Sequence, residues 1–175
     1  MPKARKMLSD WNAPYIQSLM KLIETQSKAT LAAWVIDYSK RIILPLWSKH
    51  YPDDHRPQNA LDAARKWLSG EIKLPIAKTA ILECHAAARE ADGNSVAQAA
   101  ARAIGQSAST IHSARHCIGL ALYGAIAVAY DQLGTTELWT KIEQCAALEC
   151  GRMEAALRDV AVGNEPNPAK IDWKC

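Results

Sequence analysis

The chain has 175 residues, enough for one domain with a sizeable core. With 49% hydrophobic and 22% charged residues it has the balance of an ordinary globular protein, and a net charge of +3 is far from the basic stripe of a nucleic-acid-binding surface. Its charge-free stretch, Cys117 to Tyr130, falls short of the roughly 20 residues that a membrane-spanning helix takes, so neither nucleic acid nor membrane is expected as a partner.

Five cysteines without a secretory signal point to reduced thiols and a cytoplasmic protein. Phe is absent and alanine is frequent. Alanine loses no side-chain entropy in a helix and lets helix backbones approach closely.

In chain order, residues 1–8 carry a basic run and read as a flexible end. Ser9 to Asn12 offer caps for a first helix with Pro14 in its opening turn, ending near Thr25. A second starts around Ser27 to Thr30 and carries Leu31, Trp34, Val35, Tyr38 and Ile42 at helical spacing. Pro45 is expected to kink or end it. A turn-rich stretch, His50 to Pro57, lets Asp53 or Asp54 cap a third helix whose apolar face includes Ala60, Leu61, Ala64, Trp67 and Leu68. Gly70 suits its left-handed stop. Pro75 opens a fourth helix, with Ile81, Cys84, His85 and Ala88 in its stripe, and Asp92-Gly93 ends it.

Ser95-Val-Ala-Gln98 reads as a capping box for an alanine-rich fifth helix. Gly105 and the polar run to Thr110 predict a break or bend. The uncharged stretch then forms a central helix to about Leu133, stopped by Gly134. A helix apolar on every side belongs in a core. Thr135 or Thr136 caps a long last helix, and Gly163 with Pro166 and Pro168 ends it. Residues 164–175 form a tail, docked by Trp173. No strand pattern, repeat or second domain is visible. The reading is all-α: one domain over residues 1–175, a bundle of about six to seven helices around a buried central helix.

Several residues could carry chemistry. His112 and His116, four apart, would share one face of a helix. With His85 they could bind zinc or another divalent transition metal, with Glu83 or Asp131 completing the set. No His-Glu-x-x-His or paired Cys-x-x-Cys accompanies them. The competing reading is a set of buried polar groups that fix helix register, with no metal and no cofactor. Cys84 as a nucleophile lacks any oxyanion loop, and no catalytic set is recognisable. Glu149 and Arg152 interrupt the apolar stripe of the last helix, so burial there requires mutual charge compensation. Asp53, Asp54, His55 and Arg56 sit on a stiff, proline-bracketed turn. They read either as helix caps with an Arg–Asp bond or as a rigid recognition surface, with Arg65 and Arg89 as extensions or internal partners.

Tyr51-Pro-Asp-Asp-His-Arg-Pro57, Ala60-Leu-Asp-Ala-Ala-Arg65-Lys-Trp67, His85-Ala-Ala-Ala-Arg89-Glu90 and His112-Ser-Ala-Arg-His116, in that order, resemble a bacterial immunity protein family, the fifth-type immunity-like group of polymorphic toxin systems. The match runs from about Leu31 to Tyr130. The resemblance implies an all-helical domain that binds and neutralises a cognate toxin without catalysis. Its pattern covers the Pro-Asp-Asp-x-Arg-Pro turn, Arg65, Trp67, His85, Arg89, His112 and His116, and it implies no catalytic residues. A pattern so rich in internal His and Arg fits a polar network or ligand site as well as a docking surface. Two other readings stay open. One is a metal- or small-ligand-binding protein, possibly an enzyme, built on His85, His112 and His116. The other is a helical adaptor or homodimer using the small residues of the central helix.

Overall fold

A computed structural model describes residues 3–174; Met1, Pro2 and Cys175 lie outside the described residues. Among these the chain is all helical and forms one domain. Its helices are α1 (Pro14–Ile23), α2 (Lys28–Tyr38), α3 (Leu44–His50), α4 (Arg56–Leu68), α5 (Leu74–Glu90), α6 (Ser95–Ser109), α7 (Ala125–Leu133) and α8 (Trp139–Val160). A π-helical turn, Ser39–Ile43, joins α2 to α3 without a loop, and another, Leu120–Gly124, leads into α7. Counted as continuous rods, the helices number seven, the upper figure expected from the sequence.

Pro45 does not end its helix. The widened π turn before it drops the hydrogen bond that proline cannot make, and Pro45 then sits in the first turn of α3. The second helix starts where expected, with Ser27 as its cap, the hydroxyl accepting the Thr30 N–H at 3.2 Å. The α6 cap is one residue earlier than expected. Asn94 accepts the Ala97 N–H at 3.0 Å, while the Gln98 amide donates to the Ala88 carbonyl at 2.8 Å instead of closing a box with Ser95. The last helix starts at Trp139, and neither Thr135 nor Thr136 caps it. Gly70 and Gly134 take φ of 79° and 80°, the left-handed region that lets each follow a helix end.

Residues 117–130 are buried apart from the half-buried Tyr123, as their composition demands. They are not one regular helix: a 3-10 turn over Ala114–Cys117 and the π turn precede α7. They also share the centre with α6, which packs against α2, α3, α4, α5 and α7. Eleven of the fifteen α6 residues are buried. Alanine allows this, because a helix with methyl-sized side chains can be surrounded closely on all sides. The break predicted over Gly105 and the polar run to Thr110 falls after Ser109, inside that run. Gly105 and Gly119 mark close approaches: a Cβ at Gly105 would lie 2.6 Å from His85 Cε1, and one at Gly119 would overlap Gln106.

The described residues near both ends contact the body. The Leu8 N–H donates to the Leu122 carbonyl at 2.9 Å, Leu8 is buried, and Arg5 lies 3.9 Å over the Trp139 ring. Arg5 and Leu8 thus contact the body within the stretch read as a flexible end, while Lys3 and Lys6 are exposed. Trp173 does dock: its indole N–H donates to Glu24 at 2.6 Å, and its ring lies 6.4 Å from that of Trp11. No helix among the described residues is long and apolar enough to cross a membrane.

Candidate functional site

The proline-bracketed turn is built on Trp47. Its indole, buried and stacked on Tyr51 at 4.6 Å, donates to the Asp54 carbonyl at 2.8 Å. The turn thereby holds Arg56 at the start of α4. The Asp54 carboxylate accepts from the Arg56 backbone N–H at 3.1 Å and from its guanidinium at 2.7 Å. The same guanidinium reaches Glu90 at the end of α5, at 2.6 Å. This two-carboxylate clasp lowers the pKa of Asp54 and raises that of Arg56, the side-chain hydrogen bonds being the main cause in each case. The Arg–Asp bond of the first reading is present. Asp54 and Arg56 act inward, as cap and ion pair, whereas Asp53 and His55 are exposed.

At the other end of α4 a groove of about 510 Å³ lies between α2, α4 and α8. Ala33, Trp34 and Ala156 line it, with Leu68 and Val160 at 37% and 51% exposure. Asp37 and Arg41, paired at 2.9 Å, line it too, as do Arg65 and Asp159. The groove was not foreseen. Leu68 read as part of a core face, and the small residues Ala33 and Ala156 gave no signal of a depression. Arg65 is exposed and forms no ion pair with a described residue; the same holds for Arg89 on α5. Neither is an internal partner of the aspartates. Trp67 is half-buried against the core.

The three histidines gather around α6, but not as expected. His112 lies in the turn after α6, exposed, and His116 in the following 3-10 turn, so they do not share an α-helical face. Their rings are nevertheless 5.3 Å apart. His85 rests on Gly105, and the His116 Nδ1–H donates to Gln106 Oε1 at 2.8 Å. All three have lowered pKa values. Burial is the first cause in each; Arg89 adds to it at His85, Lys78 and Lys28 at His112, and His112, Arg115 and His85 at His116. Neutral imidazoles are the result. Among the described residues no group of three His, Cys, Asp or Glu side chains is arranged to hold a metal ion. The expected His85/His112/His116 ligand set is therefore not assembled, and its proposed completions lie elsewhere: Glu83 is exposed and Asp131 pairs with Lys49 at 2.8 Å.

The described cysteines offer no activated nucleophile. Burial pushes the Cys84 thiol up to about 12 and the Cys150 thiol likewise, where a reactive thiolate needs the opposite shift. The Cys84 thiol donates to the Ala101 carbonyl at 3.4 Å. Glu149 is buried at 3% exposure, accepting from the Tyr38 hydroxyl on one oxygen and from the largely exposed Arg152 at 2.9 Å on the other. The compensation required of a buried charge in this stripe is present, shared between a phenol and a guanidinium.

This surface is thus rigid, mixed in charge and grooved, and it carries no assembled catalytic set among the described residues. Comparison with curated proteins and with solved structures found no match. A family model described as "Imm-5 like putative immunity protein" matches residues 21–156, extending on both sides the stretch whose motifs carry the resemblance. Most of the chain is covered, from α1 into α8, and on that match the chain belongs to the Imm-5-like immunity protein family.

Proposed function

We propose that the protein is an immunity protein that binds a cognate bacterial toxin in the cytoplasm and neutralises it by occlusion, without catalysis, metal or cofactor. Membership of the immunity family is the observation that carries this reading. The docking face we assign runs along the exposed flank of α4. It starts at Asp53 and His55, passes Gln58 and Asn59, and ends at Arg65 and Leu68, where the groove opens.

Three features support that assignment. The Asp54–Arg56–Glu90 clasp and the prolines hold the turn before any partner arrives, so little conformational entropy remains to be lost on binding. The groove can accept an apolar side chain of the partner, the kind of central anchor on which interfaces depend. Arg65 and Asp159 provide charges of both signs along the groove, which favour one partner over others more than they add affinity. The small-residue stretch 117–130, the motive for a dimer reading, is used inside the chain.

Co-expression with toxin genes from the same locus tests the reading. Wild type restores growth and co-purifies with the toxin. A Leu68→Glu variant, altered at a side chain that is 37% exposed, keeps its helicity and loses both effects. Failure of every such toxin to be rescued would remove the immunity reading. Rescue undiminished by Leu68→Glu and Asp53→Arg together would remove the α4 face alone.

A further inference from the structure

A second depression, of about 220 Å³, opens far from α4 in sequence, where the N-terminal segment, the turn after α6 and the C-terminal tail meet. Trp11, Tyr123 and Trp173 form its aromatic walls, and Gln106, Arg115 and His116 line the polar side. Three observations bear on what it could hold.

Arg115 is half-buried, yet no acid or other acceptor among the described residues bonds its guanidinium. A guanidinium stays charged at any working pH, and drawing it partly out of water without an anion is costly. The adjoining depression, lined by Ser113, Arg115 and Lys170, adds a second cation. Asp172, also on that side, is the one acid among the residues lining either depression.

His116 has a fixed role. Its Nδ1–H is committed to Gln106, which leaves Nε2 as an acceptor with no hydrogen bond to a described residue. The aromatic walls are fixed too. Trp173 is held through its indole N–H by Glu24, with its ring tilted 53° to that of Trp11. Tyr123 is half-buried, and its hydroxyl makes no hydrogen bond to a described residue. Aromatic side chains with apolar bodies and free polar tips are the lining that small-molecule sites use.

We infer that this cleft binds a small aromatic carboxylate, its ring among Trp11, Tyr123 and Trp173 and its carboxylate paired with Arg115. A planar carboxylate matches the fork of the guanidinium, which a lone chloride or a neutral group does not. The volume admits one ring with a short acid arm and excludes a folded segment of another protein. The site is separate from the α4 face and does not depend on the immunity reading.

The test is a titration of the full chain with phenylacetate, benzyl alcohol and acetate, followed by the tryptophan indole N–H signals in a proton–nitrogen NMR spectrum. Phenylacetate is expected to bind at least about tenfold more tightly than either comparison compound, the equivalent of about 1.4 kcal/mol. The Trp11 and Trp173 signals should move while those of the buried Trp34 and Trp47 stay still. Arg115→Gln is expected to abolish the preference for phenylacetate over benzyl alcohol. Equal binding of phenylacetate and benzyl alcohol by wild type would overturn the inference without recourse to any variant. So would shifts at Trp34 or Trp47 in place of the cleft pair, or an unchanged preference in a folded Arg115→Gln protein.

Discussion

Gly105 and His85 show how much of this molecule is decided by single side chains. The imidazole occupies the space a methyl group would need, with Nδ1 at 2.7 Å from the position of a Cβ. Gly105→Ala is therefore expected to destabilise by about 1–3 kcal/mol, the usual cost of overpacking. Removing the ring should relieve it, so Gly105→Ala in a His85→Ala background costs clearly less. Urea unfolding of the two singles and the double reads this directly, and additive losses would contradict the contact. Tyr38 and Glu149 form the second such pair. Burial, with Glu149 next, raises the pKa of the Tyr38 hydroxyl, so it stays a donor. Tyr38→Phe leaves a buried carboxylate oxygen without its phenol and is expected to cost about 1–3 kcal/mol in the same assay. Both residues were visible in the sequence only in part. Glu149 stood out because it broke an apolar stripe, but nothing local named Tyr38 as its donor, since the two lie 111 residues apart. His85 was read as apolar-facing from its spacing, whereas its seat on Gly105 depends on two helices meeting at that height.

At the scale of elements, the sequence signals that held were those with a local cause. Ser27, Gly70 and Gly134 act where they were read, because a cap or a positive φ is settled by neighbouring backbone. The signals that shifted were those with two local solutions. Asn94 and Ser95 both suit a cap, and Asn94 takes the role because Gln98 is drawn away to Ala88. Asn94→Ala should therefore cost about 1 kcal/mol, within the range for lost caps, and Ser95→Ala close to nothing. Thermal melts of the two variants decide it, and the reverse order would contradict the assignment. Of the two outcomes expected at Pro45, a kink or an end, the helix does not end, because a π turn absorbs the proline. The shared centre was missed for a related reason: the alanines of α6 give a weaker hydropathy signal than the leucine- and isoleucine-bearing stretch 117–130, yet pack as tightly. The groove was illegible because its floor is made of absences, Ala33 and Ala156, where larger side chains would fill it.

For the whole molecule, the histidines set the response to acid. His85, His112 and His116 lie below their ordinary value of 6.5 when folded, chiefly through burial and then through the neighbouring cations. Between that value and the folded ones, the unfolded chain binds more protons, so stability rises with pH across this window. This contribution is thus complete above about pH 6.5 and is lost as pH falls through the folded values. The carboxylate of Asp54, held low by Arg56, adds its own loss only below 3.8. Urea midpoints are expected to be flat between about pH 8 and pH 7 and to fall from about pH 6.5 to pH 5, less steeply in a His85→Gln, His116→Gln double variant. A flat profile through that interval would contradict the picture of uncharged imidazoles gathered around α6. The all-helical bundle itself was legible from periodicity, caps and alanine content. The docking face we propose was legible only at the turn, since its other end is a groove that exists when three helices come together.

The central claim is that the flank of α4 covers a toxin of the same locus. Its most direct measurement is the growth of cells expressing that toxin together with wild type, Leu68→Glu or Arg115→Gln, each checked for folding by circular dichroism. Rescue is expected from wild type and from Arg115→Gln, which lies outside the face, and loss of rescue from a folded Leu68→Glu protein. Rescue by Leu68→Glu at the level of wild type, or no rescue by wild type of any toxin from the locus, would contradict it.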